Sequence, residues 1–245
     1  MRAVAFYNIK GGVGKTTSAV NIAYLASGDD CRVLLWDLDP QGAASFLLQV
    51  SPRRKMKTKK LLKGGKRLPR YIRESDYPAL DVLPAPFGNR KLDVRLGRLK
   101  KPRKRLRNLL EDLEGSYDLV VFDCPPSGSV LSENVFRAAD RLVVPTQPTP
   151  LGIRGVQQVL RHVEKHAPAP LPIIPFFTMV DRRKTLHRKL TDDPPEPLSF
   201  CRTTIPYLSA IEKMALHRMP LPAFGTRERG TAAYRDLWHE IRSRL

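Results

Sequence analysis

Apolar residues fall along this chain in two rhythms. Nearly unbroken hydrophobic runs occur at 3–7, 32–36, 117–123 and 141–145, with another at 171–180 interrupted by Pro175. Runs this short, buried on both faces, suit the strands of a parallel sheet. Shorter segments at 81–84 and 201–205 read as strands ending at Pro84 and before Pro206. Between the runs the spacing changes to three and four residues. It does so at Ala19, Ile22, Ala23 and Ala26, at Leu92, Leu96 and Leu99, at Leu106, Leu109, Leu110 and Leu113, and at Ala233, Leu237 and Ile241. That spacing draws an apolar stripe along a helix. Helices are also expected over 43–50, 132–138 and 151–165, and in a basic stretch reaching Leu190. Strands alternating with helices predict an α/β fold, a mostly parallel sheet flanked by helices on both faces.

The 245 residues suffice for one sizeable domain spanning 1–245. Cys31, Cys124 and Cys201 stand far apart, without metal-ligand spacing. They read as small buried hydrophobes in a reducing compartment. No run approaches the roughly 18 residues of a membrane span. The first strand leads straight into a loop and leaves no room for a signal peptide, so a cytoplasmic location is expected.

Charge changes the picture more. The net charge is +19, which favours a polyanionic partner, nucleic acid or an anionic membrane surface. The excess is concentrated: 51–107 holds 21 Lys and Arg against four acids. Within it, 53–63 reads either as a basic helix or as partly disordered chain, because blocks of like charge repel.

The first run ends in Lys10-Gly11-Gly12-Val13-Gly14-Lys15-Thr16-Thr17, and a helical pattern follows. Strand, glycine-rich turn and helix form the context of a phosphate-binding loop. Glycines let several N–H groups point into one space, and the helix start adds its positive dipole end. Lys15 can then reach the terminal phosphates, and the Thr16 hydroxyl can ligate magnesium. One position departs from the usual spacing: Ile9 stands where the first glycine is expected, and Lys10 sits at the mouth of the loop.

Two more runs end in acids. Asp37-Leu38-Asp39-Pro40-Gln41-Gly42 follows 32–36. Strand alternation predicts that Asp37 and Asp39 point the same way, into the crevice at the carboxyl ends of the strands. The run 117–123 ends at Asp123, followed by Cys124-Pro125-Pro126-Ser127. A buried strand ending in a carboxylate is the Walker B arrangement, which holds Mg2+ directly or through water. The prolines forbid both strand and immediate helix, giving a stiff loop suited to sensing the γ-phosphate. Together these features predict a P-loop site for ATP and Mg2+.

The loop at 10–17 resembles the deviant Walker A motif of the ParA/MinD family of ATPases, and most closely that of its short, Soj-type partition and cargo-positioning members. Asp37–Gly42, Asp123–Ser127, Pro145-Thr146-Gln147-Pro148, Thr178-Met179 and Thr204-Ile205-Pro206 resemble family landmarks in the same order. The resemblance implies that Lys10 reaches the nucleotide of a second subunit and that Gly11, Gly12, Val13, Gly14, Lys15, Thr16 and Thr17 hold the phosphates. It implies that Pro206 lies beside adenine, that Asp39 places the attacking water, and that Asp37 and Asp123 support the metal with Thr16. It further implies an ATP-dependent homodimer, non-specific DNA binding, nucleoid association, and a ParB-like or cargo-adaptor protein that stimulates hydrolysis. Relatives on the partitioning branch usually carry arginines after Ile-Pro, where this chain has Tyr207-Leu208-Ser209. The DNA surface is therefore expected in the basic region, at Arg53, Arg54, Lys55, Lys57, Lys59 and Lys60. No sequence-reading DNA module precedes the first strand, so operator binding of that kind is not expected. A MinD-like membrane ATPase is the alternative and would need a free amphipathic tail. A cluster-handling relative would need paired cysteines, and a small-molecule kinase an acceptor site; neither is evident.

Overall fold

The computed structural model describes residues 1–53, 61–63, 68–85, 92–98 and 102–245. A seven-stranded sheet consists of β1 (Arg2–Phe6), β2 (Val33–Asp37), β3 (Arg73–Glu74), β4 (Leu80–Leu83), β5 (Leu119–Asp123), β6 (Arg141–Thr146) and β7 (Ile173–Phe177). The order across it is β3-β4-β2-β5-β1-β6-β7. All neighbours pair parallel except β3, which runs antiparallel along β4. Arg73 and Glu74 are both exposed, so this edge strand carries no hydrophobic pattern to announce it.

Among the described residues the helices are α1 (Lys15–Ser27), α2 (Ala43–Leu47), α3 (Leu92–Gly97), α4 (Arg105–Glu111), α5 (Val130–Ala138), α6 (Pro150–His166), α7 (Thr185–Asp192), α8 (Ser209–Glu212), α9 (Met214–His217), α10 (Leu221–Phe224) and α11 (Arg229–Arg242). They cover both faces of the sheet. Ala3, Ala5, Leu34, Trp36, Val120 and Phe122 face a core shared with Leu92 and Leu96 of α3, Leu106 of α4, Val135 of α5 and Val156 of α6. Val4, Phe6, Val33, Leu35 and Val121 face the opposite core, with Ile22 of α1, Leu47 of α2 and Leu237 and Trp238 of α11. Burial on both sides is why β2 and β5 read as unbroken apolar runs. No helix among the described residues is long and apolar enough to cross a membrane.

Two local expectations are corrected. The segment 201–205 is not a strand. Its ends touch β7, with Cys201 N donating to Pro175 O and Ile205 N to Phe177 O, both at 2.8 Å. Between them, Arg202 N and Thr203 N donate instead to the Glu240 carboxylate, at 3.0 and 2.7 Å. A side chain from α11 takes the amides a ladder would use, leaving a single bridge between Val180 and Pro206. The second correction concerns Asp39. β2 ends at Asp37, so strand alternation does not orient Asp39. Asp37 Oδ1 accepts the Asp39 N–H at 3.2 Å and holds it in the turn that follows.

Candidate nucleotide site

The sheet order brings the loop after β1 and the acids after β2 and β5 to one edge. β5 lies between β1 and β2, and in register Asp123 is opposite both Phe6 and Asp37. The loop itself turns on glycine. Gly12 and Gly14 have φ of +70° and +85°, a region costly for residues with a Cβ. Gly14 also ends the loop as the N-cap of α1. The remainder is tied down by side chains. Asn8 Nδ2 donates to Pro145 O at 2.8 Å while its Oδ1 accepts Lys10 N at 3.0 Å. The Thr178 hydroxyl donates to Val13 O at 3.0 Å. Asn8 is a structural member of the site that the sequence did not single out, and Thr178, read there as a landmark, holds the loop through its hydroxyl.

Lys15 is buried, and its Nζ donates to Lys10 O at 2.7 Å. Burial pushes its pKa down, opposed chiefly by the nearby Asp123 carboxylate. Asp123 is fully buried, and neither of its oxygens accepts a hydrogen bond. Its pKa is driven well up, first by desolvation and then by Asp37; the neighbouring Thr16 hydroxyl and Lys15 pull the other way. Asp37 is also buried, but both its oxygens are engaged. Oδ2 accepts Ser45 N at 2.9 Å and Ser45 Oγ at 2.6 Å, fastening the first turn of α2 to the strand end. Desolvation still lifts its pKa to about 6 against those bonds. Asp39 is half-buried and accepts Gln41 N at 2.9 Å.

An orphaned, buried carboxylate beside a threonine hydroxyl and a lysine is costly unless a cation completes it. Among the described residues no group of three or more His, Cys, Asp or Glu is arranged to hold a metal alone. Mg2+ is typically bound through one or two carboxylates, substrate phosphates and water rather than by an all-protein cage. Asp123 and Thr16 fit such a shell directly, and Asp37, tied to Ser45, lies opposite Asp123 in the sheet register.

Gly14 and Thr17 also line a small cavity with Thr178, Ile205, Pro206 and Tyr234. Pro206, forty residues beyond α6, thus stands beside the phosphate loop. Lys10 does not reach toward the acids. Its Nζ donates to Leu151 O at 2.5 Å, on the first turn of α6.

Beside the cavity, sharing Pro206, Tyr207 and Leu208 with it, opens a cleft of about 1180 Å³. Exposed Arg182, Arg183, Arg188, Arg202 and Arg229 line it, with Asp181 and Asp236 as the acids. Arg183 is paired with Asp181 at 2.9 Å and Arg182 lies 3.7 Å from Asp192. The Arg202 and Arg229 guanidinium groups have no partner among the described residues. This basic surface was missed in the sequence because its arginines are scattered over 182–229. Of the residues singled out in the basic region, Arg53 is exposed; Arg54, Lys55, Lys57, Lys59 and Lys60 lie outside the described residues. The later part of that region packs on α5. Asp93 Oδ1 accepts Leu131 N at 2.9 Å, Asn134 Oδ1 accepts Arg105 N at 2.9 Å, and Arg103 pairs with Glu133.

A glycine loop running from an interior parallel strand into a helix, faced by carboxylates at the end of the adjacent β5 and of β2 one strand further on, defines a P-loop nucleotide hydrolase. The AAA domain family matches residues 1–169. The chain is 34% identical over 200 residues to the chromosome partitioning protein ParA of Caulobacter vibrioides, covering 79% of this chain and 75% of that one. It is 30% identical over 247 residues to the sporulation initiation inhibitor protein Soj of Bacillus subtilis, covering 98% of both. A structure of cobyrinic acid a,c-diamide synthase from Mycobacterium smegmatis, with bound ATP analogue and magnesium, superposes with a TM-score of 0.82 at 29% identity. It covers 98% of this chain and 94% of that one. The chain belongs to the ParA/MinD family of P-loop ATPases, and it is an ATP-hydrolysing enzyme.

Proposed function

We propose that this ATPase uses ATP and Mg2+ to form a homodimer, binds DNA without sequence preference in that form, and leaves DNA on hydrolysis, so positioning DNA or other intracellular cargo. The observation that carries the reading is the orphaned Asp123 carboxylate facing Lys15 and Thr16 at the mouth of a loop whose extra lysine is Lys10. Lys15 and the loop amides of Gly11, Gly12, Val13, Gly14, Thr16 and Thr17 bind the phosphates, and Pro206 flanks the base. Thr16 and Asp123, backed by Asp37, would hold Mg2+, which would supply charge neutralisation at the phosphates. Asp39, outside the strand and partly open to solvent, orients the attacking water. Phosphoryl transfer needs little more than such positioning and charge. Lys10 serves the nucleotide of the second subunit, which makes pairing depend on ATP.

The arginine cleft and the basic sequence 51–107 supply positive charge, and pairing doubles it. Each neutralised phosphate releases counterions, so affinity follows salt rather than sequence. A ParB-like or cargo-adaptor protein is the expected stimulator of hydrolysis, and a cytoplasmic, nucleoid-associated location follows from the DNA. The MinD-like membrane alternative is disfavoured because α11 buries Tyr234, Leu237, Trp238 and Ile241 in the core and cannot lay that stripe on a bilayer. The test is light scattering with and without Mg-ATP, together with anisotropy on unrelated DNA duplexes over a salt series. ATP-dependent dimers binding all duplexes alike are expected. Binding to anionic vesicles but not DNA would overturn the reading.

A further inference from the structure

Lys10 has a built seat on its own chain. Its backbone N–H is held by Asn8 Oδ1 at 3.0 Å, and Asn8 is anchored to Pro145 O. Its carbonyl accepts Lys15 Nζ at 2.7 Å. Its ammonium donates to Leu151 O at 2.5 Å, a carbonyl within the first turn of α6. The stem reaches that carbonyl by crossing Gly155. A Cβ there would stand 3.6 Å from both Cδ and Cε of Lys10, and 3.9 Å from Asn8 Oδ1. Glycine one turn above Leu151 leaves a lane on the helix surface, and the lysine stem lies in it. Because the stem passes over Gly155 on its way to the Leu151 carbonyl, position 155 controls access to that carbonyl.

We propose that Leu151 O and the Gly155 lane form a cis seat for Lys10, and that ATP-driven pairing must lift Lys10 out of it. Gly155 is then a positioning residue for the trans lysine, and the seat is a brake on dimerisation. This rests on the proposed trans role of Lys10, but the seat itself exists or fails independently of that role. The competition is simple in kind. An ammonium satisfied by a carbonyl at home gains less from a phosphate across an interface, by the worth of one hydrogen bond to a charged group, about tenfold in an equilibrium.

The test uses the full chain as wild type, Gly155→Ala and Gly155→Val. The alanine Cβ fits at ordinary contact distance, whereas the branched valine fills the lane. Circular dichroism and melting establish that both variants fold. Without nucleotide, Lys10 is labelled with an N-hydroxysuccinimide ester and followed by mass spectrometry, with other lysines of the same chain as internal standards. Labelling of Lys10 should be slow in wild type and Gly155→Ala, and about tenfold faster in Gly155→Val. In saturating Mg-ATP, the protein concentration at half-maximal dimer should fall by a similar factor in Gly155→Val. Equal labelling of Lys10 in all three proteins overturns the seat. Faster labelling with an unchanged or higher dimerisation midpoint overturns the brake. A wild type that never dimerises in ATP overturns the pairing reading, while the labelling ratio still decides the seat.

Discussion

The two buried carboxylates make a measurable demand on stability. Asp37 is buried, faces Asp123 across the strand pair, and has its pKa lifted from 3.8 to about 6 by desolvation despite its bonds to Ser45. A folded pKa above the unfolded one means that the folded chain holds the proton longer. Stability is then greatest below pH 4 for this group and falls as pH rises toward 6, the reverse of ordinary acid denaturation. A rise of about two pH units at about 1.4 kcal/mol each amounts to about 3 kcal/mol. Asp37→Asn keeps an acceptor for Ser45 N and removes the charge. Urea unfolding of wild type and variant at pH 4.5, 5.5, 6.5 and 7.5, without Mg2+, reads the carboxylate pair as a unit, because the Asp37 charge also raises Asp123 whereas groups such as His162 and His187 titrate alike in both proteins. The variant should gain about 2–3 kcal/mol on wild type between the lowest and highest pH. Mg-ATP should stabilise wild type more at pH 7.5 than at pH 5, since a cation beside Asp123 relieves the same charge. A wild-type-minus-variant difference that stays flat across this range would refute the argument that these carboxylates carry uncompensated charge.

Four further outcomes are expected. Lys15→Ala should abolish nucleotide binding in calorimetry and, with it, ATP-dependent DNA binding. Asp39→Ala should retain ATP and stay dimeric on DNA while turnover drops roughly 100-fold or more; unchanged turnover in a phosphate-release assay would remove Asp39 from the mechanism. Neutralising Arg188, Arg202 and Arg229 together should weaken DNA binding uniformly across sequences and reduce the slope of log K against log salt by up to about 0.9 per lost phosphate contact. The same experiment on Arg53, Arg54, Lys55, Lys57, Lys59 and Lys60 tells which basic surface meets DNA. Trp238→Ala, which also removes the donor to Asp29 Oδ2 at 2.8 Å, should cost about 3–5 kcal/mol in chemical denaturation without changing the affinity of a correctly folded chain for ATP.

Local sequence determined much of this protein. Strands buried on both faces must be apolar throughout, so β1, β2, β5 and β6 announced themselves. The phosphate loop was legible because glycine at positive φ and a lysine before the helix have few other uses in that order. The ends of β2 and β5 were legible because an acid closing a hydrophobic run is rarely there for packing. Other features depend on residues far apart in the chain. Ser45 and the Asp39 N–H occupy the two oxygens of Asp37, so only the folded chain separates it from Asp123, whose oxygens are left bare. Glu240 captures the amides of 202 and 203, turning an apparent strand into a loop. The arginine cleft gathers residues from 182 to 229 that no short window displays as a cluster. Lys10 itself shows both halves: its type and place were written in the loop, but its partner, the Leu151 carbonyl reached over Gly155, exists only because α6 packs beside the end of β1. Spacing along a chain fixes which groups are adjacent on one element. Which groups on different elements compete for the same hydrogen bond is settled when those elements pack.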